Sequence, residues 1–204
     1  MDLKEFTSPL PKPWLNINAN SVHVGPGEGS ANSTVYSKFG VTTIGNTTAL
    51  SPLSGGNAAA IGSRVLPALP VGASIRMECA GEVTATPATT SVEFFLLVNG
   101  AAVMSCKFNL GGNPLNELAA KVSANMTVLG GGIAAGYLNV DIFKVTSLNR
   151  VAPCDAGDLP ALPPIPFDNT VPNTVDLAIQ YSQAAVANVW NNADIYTIEL
   201  LAAN

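Results

Sequence analysis

Apolar and polar residues alternate along several stretches of this chain, the signature of β-strands that rest one face on a core. Over residues 121–128, Val122, Ala124, Met126 and Val128 share one parity, and Lys121, Ser123, Asn125 and Thr127 take the other. The same holds for Val175, Leu177, Ile179 and Tyr181, for Ile75, Met77 and Cys79, and for Tyr196, Ile198 and Leu200. Strands are expected at 35–44, 62–66, 74–84, 91–98, 102–110, 121–129, 137–146 and 174–182, with 194–202 closing the series. One strand changes phase: Leu138, Val140 and Ile142 share a parity that Phe143 and Val145 leave. Either a bulge near 142–143 returns both sets to the core, or both faces are covered there. Asn99-Gly100 between two apolar runs predicts a two-residue type I′ hairpin, whose central residues both need positive φ. In simple register, Phe95, Leu97, Ala102, Met104 and Cys106 share one face of that hairpin. Phe94, Leu96, Val98, Ala101 and Val103 share the other. Both faces are apolar, so something must cover the second. A neighbouring subunit is favoured over a loop of the same chain, which makes Phe94, Leu96, Val98 and Val103 the candidate subunit interface.

Other signals are weaker. Residues 113–120 read as two helical turns, with Asn113 as cap and Pro114 at the first helical position. The stretch 153–172 holds six prolines and is expected as a long ordered loop. Before residue 35 the pattern is lost. Pro9, Pro11 and Pro13 favour an extended path, and 25–30 (Gly-Pro-Gly-Glu-Gly-Ser) is loop. Residues 1–34 are expected as an extended N-terminal arm and 35–204 as the folded domain. Leu10, Trp14, Leu15 and Ile17 are the apolar anchors with which the arm would dock. A first strand of the domain itself is the other reading of this segment.

Composition narrows the function. Apolar residues make up 48% of the 204 positions, yet charged ones only 11%, well under half the roughly 25% of an ordinary soluble domain. The polar surface must therefore be built from amides and hydroxyls, which cost less to desolvate than ions. Such a surface suits a protein that spends it in contacts. The nine basic residues are scattered and the net charge is −5, which argues against nucleic acid as a partner. No apolar run reaches membrane-spanning length, and Met1 to Glu5 lack a secretory pattern. Synthesis in a reducing cytoplasm is the expectation, and the Asn-X-Ser/Thr triplets at Asn32, Asn46 and Asn125 then read as chance.

Candidate chemistry is sparse. His23 is the single histidine and lies beside a glycine-rich loop, a poor place to hold a catalytic base. Cys79, Cys106 and Cys154 have neither zinc spacing nor the density of a disulfide framework. The first two fall on inward parities and read as small core residues. Asp155 and Asp158 lack the remaining ligands of a calcium loop. Glu78, Glu82 and Glu93 could be paired as glycosidase carboxylates only by ignoring that Glu78 faces solvent. No catalytic, cofactor or metal residue is expected, and the chain reads as a non-enzyme without cofactors.

The C-terminal part carries a resemblance. Thr174-Val175-Asp176-Leu177, Gln180-Tyr181, the small residues around Ala184 to Asn188, and a closing strand through Ile195, Tyr196, Ile198 and Leu200 resemble the final hairpin of trimeric jelly-roll decoration (cement) and head-fibre proteins of tailed bacteriophages. The resemblance extends back to the hairpin at 92–110; the proline-rich loop departs from it. It implies an all-β, jelly-roll-like antiparallel β-sandwich, a homotrimer, and attachment to the major capsid protein lattice on the outer surface of the virion. It brings no catalytic residues. A tail or fibre receptor-binding domain and a capsid shell jelly roll are the alternatives.

Overall fold

The computed structural model describes residues 15–18, 21–24, 32–38, 42–54, 65–86, 89, 91–109, 115–143, 150–152 and 164–201, with side chains described from residue 43 onward except at 115–117, 150–152 and 192–195. In chain order the strands are β1 (Leu15–Asn18), β2 (Ser21–Val24), β3 (Asn32–Lys38), β4 (Thr42–Gly45), β5 (Ser51–Pro52), β6 (Val65–Leu66), β7 (Ser74–Ala85) and β8 (Ser91–Val98). They continue as β9 (Ala101–Asn109), β10 (Leu115–Gly130), β11 (Ile133–Phe143), β12 (Arg150–Ala152), β13 (Ile165–Pro166), β14 (Asn173–Tyr181) and β15 (Val189–Leu201). No helix occurs among the described residues.

The strands form an all-β, antiparallel sandwich. The larger sheet runs β1-β2-β3-β15-β7-β10-β11-β12, with β4 also on β15 and β13 also on β11. The smaller runs β5-β14-β8-β9, with β6 on β14. One apolar core lies between them. The larger sheet sends in Ile75, Met77, Cys79, Val122, Ala124, Met126, Val140, Trp190, Tyr196 and Ile198. The smaller answers with Val92, Phe94, Leu96, Met104, Phe108, Val175, Leu177, Ile179 and Tyr181. The alternation at 121–128 and at 75–79 falls on these inward positions, as period-two patterning requires.

Asn99 and Gly100 have φ of 51° and 78°, the left-handed values a type I′ turn needs. The β8–β9 register then slips between Leu96 and Leu97, where Leu96 faces Met104 but Leu97 faces Ala102. Val103 is the extra residue, and the bulge reverses parity along β9. Met104, Cys106 and Phe108 therefore join Phe94 and Leu96 inside, correcting the simple-register expectation that put Met104 and Cys106 with Phe95 and Leu97. The phase change at 142–143 is a register shift against β12; Ile142 is buried while Phe143 is half-buried. Residues 115–120, expected as helix, are the first part of β10 and pair with both β7 and β11. Long-range pairing on two sides overrides a weak local helix signal.

The proposed arm divides. Leu10 and Trp14 lie outside the described residues, as do Asp155, Asp158 and residues 153–163 of the proline-rich stretch. Leu15 and Ile17 are in β1, whose hairpin with β2 continues the larger sheet beyond β3. β3 itself starts at Asn32, so the boundary drawn at residue 34 falls inside a strand. From Pro164 onward the proline-rich stretch is ordered: Ile165 and Phe167 are core residues, and Pro166 pairs with Ile133.

One close approach in the core is at Gly81 of β7. A Cβ there would lie 2.6 Å from both the Asn191 carbonyl oxygen and Cζ2 of Trp190. Trp190 is fully buried and meets Phe94 of the opposite sheet edge-on, with ring centroids 5.7 Å apart. Gly81→Ala should therefore push Trp190 off its seat, at a cost of about 1–3 kcal/mol and several degrees of Tm. Thermal unfolding followed by tryptophan fluorescence checks this. An unchanged Tm would mean that Trp190 does not fix the sheet spacing.

Candidate functional site

The structure brings no catalytic constellation together among its described residues. Glu78 and Glu82 lie in β7 of the larger sheet and Glu93 in β8 of the smaller, so the three carboxylates share no cleft. His23 is in β2, with its side chain outside the described set. No group of three or more His, Cys, Asp or Glu among the described residues is placed to hold a metal ion. What can be used is surface.

The candidate subunit interface lies inside the molecule. Phe94, Leu96 and Val98 are buried in the sandwich core and Val103 packs against it. The cover that this hairpin face needs is the chain's own larger sheet. Phe94 also meets Phe108 edge-on at 6.1 Å. Phe94, Leu96 and Val98 therefore face the larger sheet rather than a second copy, unlike the expectation drawn from the two-sided hairpin, while Val103 is half-buried. The opposite face is partly covered: Leu97, Asp176 and Ala178 are buried, Phe95, Ser105 and Lys107 are half-buried, and Ala102 is exposed.

Cys106 is buried, as expected, but it is disulfide-bonded rather than a small core thiol. Cys79 is a buried thiol. Cys154 lies outside the described residues. The expectation that the cysteines serve as core hydrophobes thus fails for Cys106, because spacing along the sequence does not show which cysteines the fold brings within bonding distance.

Three buried polar clusters hold the loops at the ends of the sandwich. Asp176 accepts hydrogen bonds from the Tyr196 hydroxyl at 2.5 Å, the Leu177 amide at 2.8 Å and the Ser54 hydroxyl at 2.8 Å. Tyr196 comes from the larger sheet and Asp176 from the smaller, so this carboxylate ties the layers together. Asn188 accepts from the Thr86 amide and the Thr89 hydroxyl and donates to the Gln183 carbonyl, fixing one end. At the other end Asn173 donates to the carbonyls of Asp168 and Val171, and accepts from Asn99.

That second end is the most distinctive surface. It is built from the β6–β7 segment, the β10–β11 turn and the segment leading into β14. Val71 is 59% exposed, Leu129 52% and Val171 45%, with Val65 and Ile133 also exposed. Pro67, Pro70, Pro164, Pro166 and Pro172 are exposed around them. Over residues 65–73, 98–101, 129–133 and 164–174 the one charged residue is Asp168. Its carboxylate is lowered in pKa because it accepts hydrogen bonds from the Thr170 hydroxyl and amide. The loops are fastened to each other. Gly72 donates to the Val128 carbonyl at 2.8 Å and Phe167 to that of Gly132 at 2.8 Å; Leu69 and Asn169 bond mutually through the Leu69 amide at 3.0 Å and the Asn169 side-chain amide at 3.1 Å. Gly130 has φ of +85°, and a Cβ there would meet Val71 at 2.9 Å. The surface is apolar, nearly free of charge and pre-organised.

The second accessible surface is the outward face of β15, β7, β10 and β11. It carries Arg76, Glu78, Lys121, Ser123, Asn125, Thr127, Asn139, Asp141, Thr197 and Glu199, with one exposed aromatic, Tyr137. Glu78 bonds Arg76 at 2.7 Å and Lys121 at 3.3 Å. Partial burial acts to raise its pKa, but the hydrogen bonds from Arg76 and Lys121 outweigh this and lower it.

No protein-family model and no curated protein matches the sequence. Among solved structures, the chain is similar to the CBM2 module of the evolved Dit of Lactobacillus casei BL23 phage J-1, at 9% identity, over 95% of this chain and 81% of that one, with a TM-score of 0.28. It is also similar to a glycoside hydrolase family protein from Mycobacterium thermorestibile, at 14% identity, over 64% and 62% of the two chains, with a TM-score of 0.21. At such TM-scores neither likeness bears on function.

Two outcomes follow. Tyr196→Phe removes a donor from a buried carboxylate and should cost about 1–3 kcal/mol, read as a lower urea midpoint with an unchanged slope; no change would mean Asp176 does not bridge the sheets. Because the folded pKa of Glu78 is lowered, its contribution is present above the unfolded carboxylate pKa and is lost as pH falls through the folded value. The stability gap between the wild type and Glu78→Gln, below about 1 kcal/mol for so exposed a pair, should close on acidification, as Tm against pH will show.

Proposed function

We propose that the chain is a structural protein of a tailed-phage virion, a decoration (cement) protein that binds the lattice of the major capsid protein on the outer capsid surface and stabilises it. The observation that carries this reading is the rigid, apolar, nearly charge-free end formed by residues 65–73, 129–133 and 164–172. An exposed apolar patch on a folded domain marks a contact. Loops already held by hydrogen bonds lose little entropy on docking, which leaves more of the contact energy as affinity. Repetition over a lattice supplies avidity, so each contact need only be modest.

The fold supports the same reading. Its buried Asp176, Asn173 and Asn188 join loops and sheets. The Cys106 disulfide suits a protein that works outside the reducing cytoplasm, as virion surfaces do; it would form after release from the host. In this reading the protein has no catalytic activity, uses no cofactor and binds neither nucleic acid nor membrane. It acts as a homotrimer, with an interface on surfaces other than Phe94, Leu96, Val98 and Val103. The N-terminal segment with Leu10, Trp14, Leu15 and Ile17 is a second contact; among the described strands β1, which holds Leu15 and Ile17, is at the edge of the larger sheet, the place for strand addition. A tail or fibre receptor-binding domain is the second reading, favoured by the open face around Tyr137.

Purified protein mixed with shells of the phage's major capsid protein should co-sediment at a fixed, saturable ratio. Val71→Asp with Leu129→Asp, both at exposed positions, should weaken binding at least about tenfold while leaving Tm unchanged. Light scattering should give three times the 20.9 kDa chain mass. Failure of the wild-type protein to co-sediment would overturn the decoration reading, and a monomer in solution would remove the trimer from it.

A further inference from the structure

The open face of the larger sheet has a layout that decoration does not require. In register, Glu199 lies beside Arg76, Arg76 beside Asn125, and Asn125 beside Tyr137, a row across four neighbouring strands. At the roughly 4.8 Å spacing of adjacent strands the row spans about 14 Å, the length of two to three sugar rings. Every position around Tyr137 is short: Ala135 and Asn139 along its own strand, Asn125 directly across, Ser123 and Thr127 on the diagonals. The ring is 53% exposed and, among the described residues of its own and the adjoining strand, is bordered by short amide, hydroxyl and methyl side chains.

Two further observations point to the kind of ligand. Asn125 Oδ1 is screened from solvent and accepts no hydrogen bond. Such an acceptor is rare and calls for a donor. Its flanking neighbours in register, Tyr137 and Arg76, are half-exposed. The charges of the face are also largely neutralised internally. Arg76 and Lys121 both pair with Glu78, and Asp141 accepts from the Asn139 side chain at 2.9 Å. A face balanced in this way has little to offer an ion.

We propose that the face centred on Tyr137 binds an uncharged oligosaccharide. One sugar ring lays its C–H face on Tyr137, as an aromatic face favours, while hydroxyls donate to Asn125 and exchange hydrogen bonds with Asn139 and Arg76. A protein partner would want a broader apolar centre than one ring. An acidic polymer would want unpaired cations. This site is separate from the apolar end, so it stands whether or not the decoration reading holds.

Affinity electrophoresis of the purified protein through gels containing soluble neutral polysaccharides (a β-glucan, a galactan, a mannan and a rhamnose-rich polymer), with an acidic polysaccharide as control, tests it. At least one neutral polymer should retard the wild-type protein. Tyr137→Thr, which keeps a strand-forming residue, should reduce the association constant about tenfold or more, Tyr137→Trp should retain it, and Asn125→Ala should weaken it severalfold. Co-sedimentation with capsid shells should be the same for Tyr137→Thr as for the wild type. Retardation by none of the neutral polymers, by the acidic one alone, or undiminished in Tyr137→Thr would overturn the proposal.

Discussion

The seating of Trp190 sets the distance between the two sheets. Its indole lies against the bare backbone of Gly81 within the larger sheet and reaches across to the edge of Phe94 in the smaller one. A side chain at position 81 would lift the ring, and the smaller sheet would have to move with it. Tyr196, further along the same strand, fixes the sheets in a second way, since its hydroxyl reaches the Asp176 carboxylate of β14. β15 carries both residues, and its register against β7 slips between them, from Asn191 to Ile195. The strand thus resets its pairing while keeping both aromatic rings inward.

The inward face of the smaller sheet is buried and its outward face is half-buried, and Asp176, Asn173 and Asn188 are engaged in holding loops and sheets together. The hydrogen bonds at Asn99 and Asn173 hold the segment through Val171, and Phe167 of the same segment bonds the turn from β10 to β11 at Gly132. A surface so fixed is suited to repeated, modest contacts with a regular lattice. The larger sheet leaves one outward face open, and its chemistry, short polar groups around one ring, differs from that of the apolar end.

Much of the β architecture was legible in local patterns. Period-two alternation marked 121–128 and 75–79 correctly because each strand has one face on the core. The Asn99-Gly100 pair marked its turn because few other residues accept two successive positive φ values. The remainder depended on contacts distant in the chain. The bulge at Val103 reverses the parity of Met104, Cys106 and Phe108, and nothing in their own spacing announces it. Residues 115–120 carry a helix-like start yet become strand because β7 and β11 pair with them. The apolar hairpin did need a cover, but the cover was the chain's own sheet, which pairwise spacing cannot reveal. The apolar end is assembled from three segments separated by dozens of residues, each reading alone as an ordinary proline- or glycine-containing loop.

The central claim is that the rigid apolar end makes the contact with the capsid lattice, and hydrogen–deuterium exchange of the protein bound to capsid shells tests it most directly. The account predicts new protection concentrated in residues 65–73, 129–133 and 164–172, with the Tyr137 face still exchanging as in the unbound protein. Protection centred on β7, β10 and β11, or none at the apolar end, would contradict it.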